Sequence, residues 1–309
     1  MFCLDGHGKT LANPVAYANG FPANTPVRMK LAWITGAGGL IGSHLVRAAS
    51  RPAAGKIIGL TRADLDLTDA EALTRRFRAE SPALVVHCAA NSSSVECEKT
   101  PALARVQNVE VTARLAELCA DRAFIFLSTD LVFDGRKGRY TEQDAVHPLG
   151  VYAETKVAAE QIVLANPRHT VIRTSLNGGP SPRGDRGFDE QMVNAWRAGR
   201  TLRLFTDEYR SPMDASVTAR AIWELAVAGA TGLFHVAGAE RLSRFELGQL
   251  LAARWPELNP RLAAASLQEY AGAPRPPDCS LDCAKAQALL SFPLPRYRDW
   301  LQAHPPARP

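Results

Sequence analysis

The chain has 309 residues, 46% of them hydrophobic and 22% charged, a balance that suits one large α/β domain or a domain with a smaller lobe and excludes disorder throughout. The net charge of +5 and the pI near 9.0 come from arginines spread along the chain, among them Arg75, Arg76, Arg78, Arg183, Arg186 and Arg203. With no basic run of five or more, this argues against a nucleic-acid binder and for affinity toward small anions. No apolar stretch approaches the roughly 18 residues of a membrane span, the six cysteines include no C-x-x-C pair, and the seven histidines form no H-x-x-x-H or H-E-x-x-H pattern, so neither a membrane segment nor a metal is expected.

The first 28 residues lack the apolar core of a secretory signal and are rich in Gly, Pro and Asn, which predicts a disordered extension over 1–29 and a cytoplasmic protein. The chain is organised around K-L-A-W-I-T-G-A-G-G-L-I-G-S at 30–43. A short apolar run, Leu31 to Ile34, meets glycines at 36, 39 and 42 and then a helical segment from His44, which reads as strand, tight turn, helix. Gly36 permits the turn, Gly39 lets a pyrophosphate approach the backbone, and Gly42 lets the helix pack close. The helix start offers free N–H groups and a positive dipole end to phosphate. The spacing G-x-x-G-x-x-G departs from the commonest dinucleotide fingerprint, yet its strand-turn-helix setting is that of a nucleotide site.

A second strand, Lys56 to Thr61, ends at Arg62, where NAD enzymes place an acidic residue on the ribose 2′-hydroxyl. Arg62 suits a 2′-phosphate, hence NADP, or it is a solvated surface arginine. Thr68 and Glu71 have capping-box spacing and open a helix through Ala79. The third strand, Ala83 to Cys88, runs into the small residues Ala89 and Ala90, and Thr100-Pro101 starts a helix to about Ala120. The fourth strand, Ala123 to Leu127, ends in Ser128-Thr129-Asp130. This alternation predicts right-handed crossovers and a doubly wound, Rossmann-type parallel sheet with ligands beyond the strands' carboxyl ends, so that Gly36, Ala89 and Thr129 share a cleft.

In V-Y-A-E-T-K-V-A-A-E-Q-I-V-L, Tyr152 and Lys156 are four apart and project from one helix face. An ammonium beside a phenol would favour phenolate and bring the tyrosine's pKa down from about 10 toward neutrality.

T-G-A-G-G-L-I-G at 35–42, H-C-A-A at 87–90, S-T-D at 128–130 and Y-A-E-T-K at 152–156 together resemble the extended short-chain dehydrogenase/reductase family, over about residues 30 to 290. D-L-D-L-T-D at 64–69, L-S-T-D-L-V-F-D-G at 127–135, Y-T-E-Q-D at 140–144 and I-R-T-S at 172–175 look most like its dTDP-4-dehydrorhamnose reductase branch. The branch usually carries an aromatic residue and a glycine where this chain has Leu176 and Ala153. The resemblance implies reduction of a keto group on a nucleotide-linked sugar, NADPH favoured over NADH. Thr129, Tyr152 and Lys156 would be catalytic. Gly36, Gly39, Leu40, Ile41, Gly42, Arg62, Asp66, Leu67, Ala89 and Ala90, with Tyr152 and Lys156, would hold the cofactor. Asp130 would lie near the sugar, and a homodimer fits the family. Related activities are a 4,6-dehydratase, disfavoured because Leu131 stands where its glutamate would be, a sugar-nucleotide epimerase, and a non-catalytic NADP-binding regulatory subunit like that of methionine adenosyltransferase.

Beyond Ser175 the alternation breaks at the Gly/Pro loop 177–187. A helix over Phe188 to Ala198, a strand over Leu202 to Phe205, a helix over Ser216 to Ala228, a strand over Gly232 to Val236 and a capping box at Ser243 and Glu246 follow. A cofactor domain is expected over 30–175 and a substrate lobe, with elements returning to the core, over 176–304. Arg210 falls where related enzymes place an arginine on the diphosphate. It would otherwise form a surface salt bridge with Asp207 or Asp214.

Overall fold

The computed structural model describes residues 29–48 and 54–305, so the expected extension over 1–29 lies outside the described residues except for Met29, which opens the first strand. Six strands pair in parallel. These are β1 (Met29–Thr35), β2 (Ala54–Leu60), β3 (Leu84–His87), β4 (Ala123–Thr129), β5 (His169–Thr174) and a sixth, Gly232–His235, in the spatial order β2-β1-β3-β4-β5-sixth. The order reverses between β1 and β3, and in such sheets ligands bind at that reversal, beyond the strands' carboxyl ends.

The strands read as unbroken apolar runs because both faces of the sheet are covered. Ile34, Val86, Ile125, Ile172 and Phe234 pack with Leu45 of α1 (Leu40–Ala48) and with Ile222 of a later helix, Ala215–Val227. Their neighbours Trp33, Val85, Phe124, Phe126 and Val171 face the other way. They meet Leu73 and Phe77 of α2 (Ala70–Glu80) and, further along the chain, Leu115, Ala159 and Val163.

The next crossover holds α3 (Ser94–Lys99), α4 (Pro101–Arg105), a π-helical turn over Val106–Glu110 and α5 (Val111–Leu118). Leu115 belongs to α5, and Ala159 and Val163 to α6 (Val151–Leu164), which leads into β5. A third apolar cluster joins Phe188, Met192 and Trp196 of α7 (Phe188–Arg197) to Leu204, Leu247, Leu251, Tyr297 and Leu301. It is built on the parallel strands Leu202–Phe205 and Leu262–Ala265. After α7 come α8, the helix Ala215–Val227 already met on the sheet, then α9 (Arg244–Arg254), α10 (Ala284–Gln287) and α11 (Tyr297–Ala303). No helix among the described residues is long and apolar enough to cross a membrane.

Several local expectations are corrected. α1 starts at Leu40, four residues before His44, so Gly42 lies inside the helix. The cap of α2 is Asp69, whose carboxylate accepts from Ala72 N, because the Thr68 hydroxyl donates to Asp66 instead. The 100–120 segment is interrupted by the π turn, and α3, capped by Ser93, was not foreseen. At α9 the Ser243–Glu246 capping box forms as the spacing requires.

Candidate active site

Thr35 ends β1 and Gly36 turns the chain with φ of +69°, in the left-handed region; a Cβ there would sit 2.7 Å from Ala89 N. Gly39 N donates to Gly36 O at 2.8 Å, and a Cβ on Gly42 would drive into that same carbonyl. The glycine turn therefore lies directly on the end of β3. Buried Thr35 Oγ1 accepts from Ala89 N at 3.3 Å and lies 2.7 Å from His87 Nδ1. Leu40 and Ile41 send their side chains toward the core and leave backbone N–H groups at the start of α1, whose first turn carries no acidic side chain. A pyrophosphate fits this cradle: backbone approach is free of Cβ atoms and no carboxylate repels it.

At the end of β2, Arg62 is 76% exposed and 3.7 Å from Asp66. Asp66 accepts from Thr68 N and Oγ1, which holds its carboxyl below the usual range, while Leu67 packs against the core and Ala90 is exposed past Ala89.

Thr129 is buried at the end of β4, and α6, which carries Tyr152 on its first turn, packs on that strand. One turn on, buried Lys156 donates from Nζ to Leu127 O at 2.6 Å and lies 3.8 Å from the Phe126 ring centre. The expected depression of the phenol's pKa by Lys156 is not found. Burial, and then the Asp130 carboxylate, push Tyr152 up, with Thr129 opposing them. It is the lysine that moves down, to about 7, because burial disfavours its charged form.

Arg210 departs from one expectation, and Asp130 is its neighbour. Asp130 is buried. It accepts from Thr129 Oγ1 at 3.2 Å and from Ser175 Oγ at 2.6 Å, and it faces Arg210 Nε at 3.6 Å. Arg210 is buried too. It donates to the carbonyls of Tyr209 and Pro276 and pairs with Glu208, so neither the surface bridge to Asp207 or Asp214 nor a guanidinium free to grip a diphosphate is present. Asp207 is engaged by Ser266 and Leu267, and Asp214 caps α8. The partnership was readable in part, since Glu208 and Arg210 are two apart in an extended segment and share a face.

Sequence reasoning missed Asn108 altogether. Its side chain, on the π turn, accepts from Asn91 N and donates to Asn91 O and to Thr155 Oγ1; Thr155 in turn donates to the Tyr152 carbonyl. The π turn is the only local sign, and such turns gather at functional sites.

A family model described as the RmlD substrate binding domain matches residues 29–304. The chain belongs to that family. It is 35% identical over 223 residues to a dTDP-4-dehydrorhamnose reductase of Mycobacterium tuberculosis, covering 69% of this chain and 71% of that one. To the rat (Rattus norvegicus) methionine adenosyltransferase 2 subunit beta it is 29% identical, over 86% of this chain and 84% of the relative. A crystal structure of a dTDP-4-dehydrorhamnose reductase of Clostridium acetobutylicum superposes with a TM-score of 0.81 at 25% identity, covering 89% of this chain and 98% of that one. The Rossmann-type fold and the reductase-branch resemblance are thereby borne out.

Proposed function

We propose that this chain is an NAD(P)H-dependent reductase of a keto group on a nucleotide-linked sugar, dTDP-4-dehydrorhamnose or a close analogue, working in the cytoplasm with NADPH preferred. The observation that carries this reading is the placing of Tyr152 and Lys156 one turn apart on α6, which packs on the strand that ends in Thr129, with the glycine turn lying on the adjoining strand end. Residues 30–175 would hold the cofactor and 176–304 the sugar nucleotide. The turn from Gly36 to Gly42 and the N–H groups of Leu40 and Ile41 take the pyrophosphate, and Arg62 takes the 2′-phosphate.

The nicotinamide, when bound, supplies the hydride. Tyr152 gives its proton to the oxygen of the reduced carbon, Thr129 donates a hydrogen bond to that oxygen, and Lys156 binds the cofactor ribose. The methionine adenosyltransferase subunit supports a second, non-catalytic reading. An assembled Thr129-Tyr152-Lys156 set, which a regulatory subunit does not require, favours catalysis.

The test is NADPH consumption, followed at the reduced-nicotinamide absorbance, with dTDP-4-dehydro-6-deoxy sugars. Turnover is expected; tight NADPH binding with no turnover on any nucleotide keto-sugar would favour the regulatory reading.

A further inference from the structure

The strand pair that carries Arg210 also carries a guanidinium with nothing to hold. Leu242–Ser243 runs antiparallel to Tyr209–Arg210, with Leu242 opposite Arg210 and Ser243 opposite Tyr209. Arg244, the first residue of α9, makes the next rung, its N donating to Glu208 O at 2.9 Å. Residues opposite one another on such a pair share a face, as do alternate residues along one strand. Arg244 therefore emerges beside Glu208 and Arg210, on the face that reaches Asp130 at the end of β4.

The charges on that face do not balance. Arg275 gives Glu208 two hydrogen bonds, at 2.7 and 3.0 Å, one to each carboxylate oxygen, and Arg210 pairs with Glu208 at 3.3 Å. Arg210 also faces Asp130 at 3.6 Å. Arg210, Arg244 and Arg275 thus stand against two carboxylates, Glu208 and Asp130, and the surplus falls on Arg244. Glu208 is directly opposite Arg244, yet its oxygens are already taken. Among the described residues Arg244 forms no ion pair, and its buried Nη1 has no hydrogen-bond partner. The residue as a whole is half-buried and not sealed in the core. Burial lowers its pKa to about 10, which leaves it a cation at neutral pH. Burial also pushes the Asp130 carboxyl up, and any proton it takes only enlarges the surplus. A buried donor without an acceptor, on a cation without a counter-ion, is costly for a fold to keep. An oxyanion placed against it removes both costs at once.

We propose that Arg244 is the anion ligand of the substrate lobe: its guanidinium takes a phosphoryl oxyanion, which in the proposed reduction is the diphosphate of the sugar nucleotide. The identity of the ligand rests on that reading of the function; the existence of an oxyanion site does not. A planar guanidinium suits a phosphate, to which it can donate two parallel hydrogen bonds. Arg244 thereby supplies what Arg210, locked between Asp130 and Glu208, cannot.

The test is calorimetric titration of the full chain with dTDP and, separately, with inorganic pyrophosphate, neither of which needs cofactor or turnover. dTDP should bind the parent, and Arg244→Gln should weaken it by about tenfold or more, the loss expected when a hydrogen-bonded charge contact is removed. Arg244→Lys, which keeps the cation and loses the fork, should fall between the two. The Tm of Arg244→Gln should equal or exceed the parent's, because an unpaired, desolvated charge is gone. Should the glutamine variant not fold, Arg244→Met, of similar length and without charge, makes the same comparison. A folded, uncharged variant that binds dTDP as the parent does overturns the proposal and leaves the reductase reading intact. A loss of Tm in place of a loss of affinity makes Arg244 a structural group and also overturns it. Pyrophosphate that binds through Arg244 where dTDP does not bind upholds the oxyanion site and rejects the nucleotide-sugar reading. A parent that binds neither overturns the proposal.

Discussion

Two side chains decide whether the site is a reductase and which cofactor it uses. Tyr152 stands on the first turn of α6, one turn before Lys156, and is the proton donor of the proposed reduction, so Tyr152→Phe should lower kcat by about 10²-fold or more, the scale of general acid catalysis, with NADPH binding unchanged in a fluorescence titration. Retained turnover would remove Tyr152 from the chemistry. Arg62 stands exposed at the end of β2 with Asp66 as a loose partner, free to turn toward a 2′-phosphate. A charged hydrogen bond is worth about 1.5–3 kcal/mol, so Arg62→Asp should swing the NADPH-to-NADH ratio of kcat/KM by about tenfold or more toward NADH. A ratio that stays put would show that the guanidinium faces only solvent. Arg210 teaches the opposite lesson. Its place in the sequence suggested an anion ligand, yet its charge is spent on Asp130 and Glu208, because burial is a property of the packed chain that a single residue's neighbours do not disclose.

At the scale of elements, the strand-turn-helix from β1 to α1 is where sequence and structure agree on the turn itself, since Gly36 and Gly42 there are forced by backbone geometry. A Cβ on Gly42 meets the Gly36 carbonyl with nowhere to go, while one on Gly38, in the same turn, would find only the Thr61 methyl at 3.6 Å. Gly42→Ala should therefore lower Tm by roughly 5 °C or more and weaken NADPH binding, and Gly38→Ala should leave Tm within about 2 °C of the parent. Equal Tm values for the two variants in a thermal melt would contradict the geometry. The long periodic helices and apolar strands of the sheet were legible for the same local reason. The short pieces were not. α3 and α10, of six and four residues, are held by packing and by side-chain or backbone hydrogen bonds from distant segments, which leaves no periodicity to read. The cap of α2 shifted to Asp69 because Thr68 found a nearer partner in Asp66, a competition that spacing alone does not resolve.

For the molecule as a whole, the sheet carries buried histidines as well as apolar side chains, and these govern its response to acid. His87 lies between the Phe124 and Phe126 rings, held by Thr35 and Thr112, and burial brings its pKa down to about 3. His235, at the end of the sixth strand, is brought to about 4 by burial and by the Arg173 guanidinium, which is itself locked to Glu160 of α6. Both are neutral in the folded state. Unfolded, each takes up a proton below about 6.5, so between that pH and the folded values the unfolded chain binds more protons and stability falls as pH falls. The contribution is fully present above about pH 6.5; His87 alone should cost the fold a few kcal/mol by pH 4. Replacing His87 with glutamine, which cannot take the proton, should lower stability at pH 7.5 yet flatten its decline. The gap in unfolding free energy between parent and His87→Gln, measured by denaturant titration at pH 7.5, 6, 5 and 4, should narrow steadily with acid. A constant gap would mean that His87 takes up its proton as readily in the folded sheet as in the unfolded chain, and that burial does not hold the ring neutral.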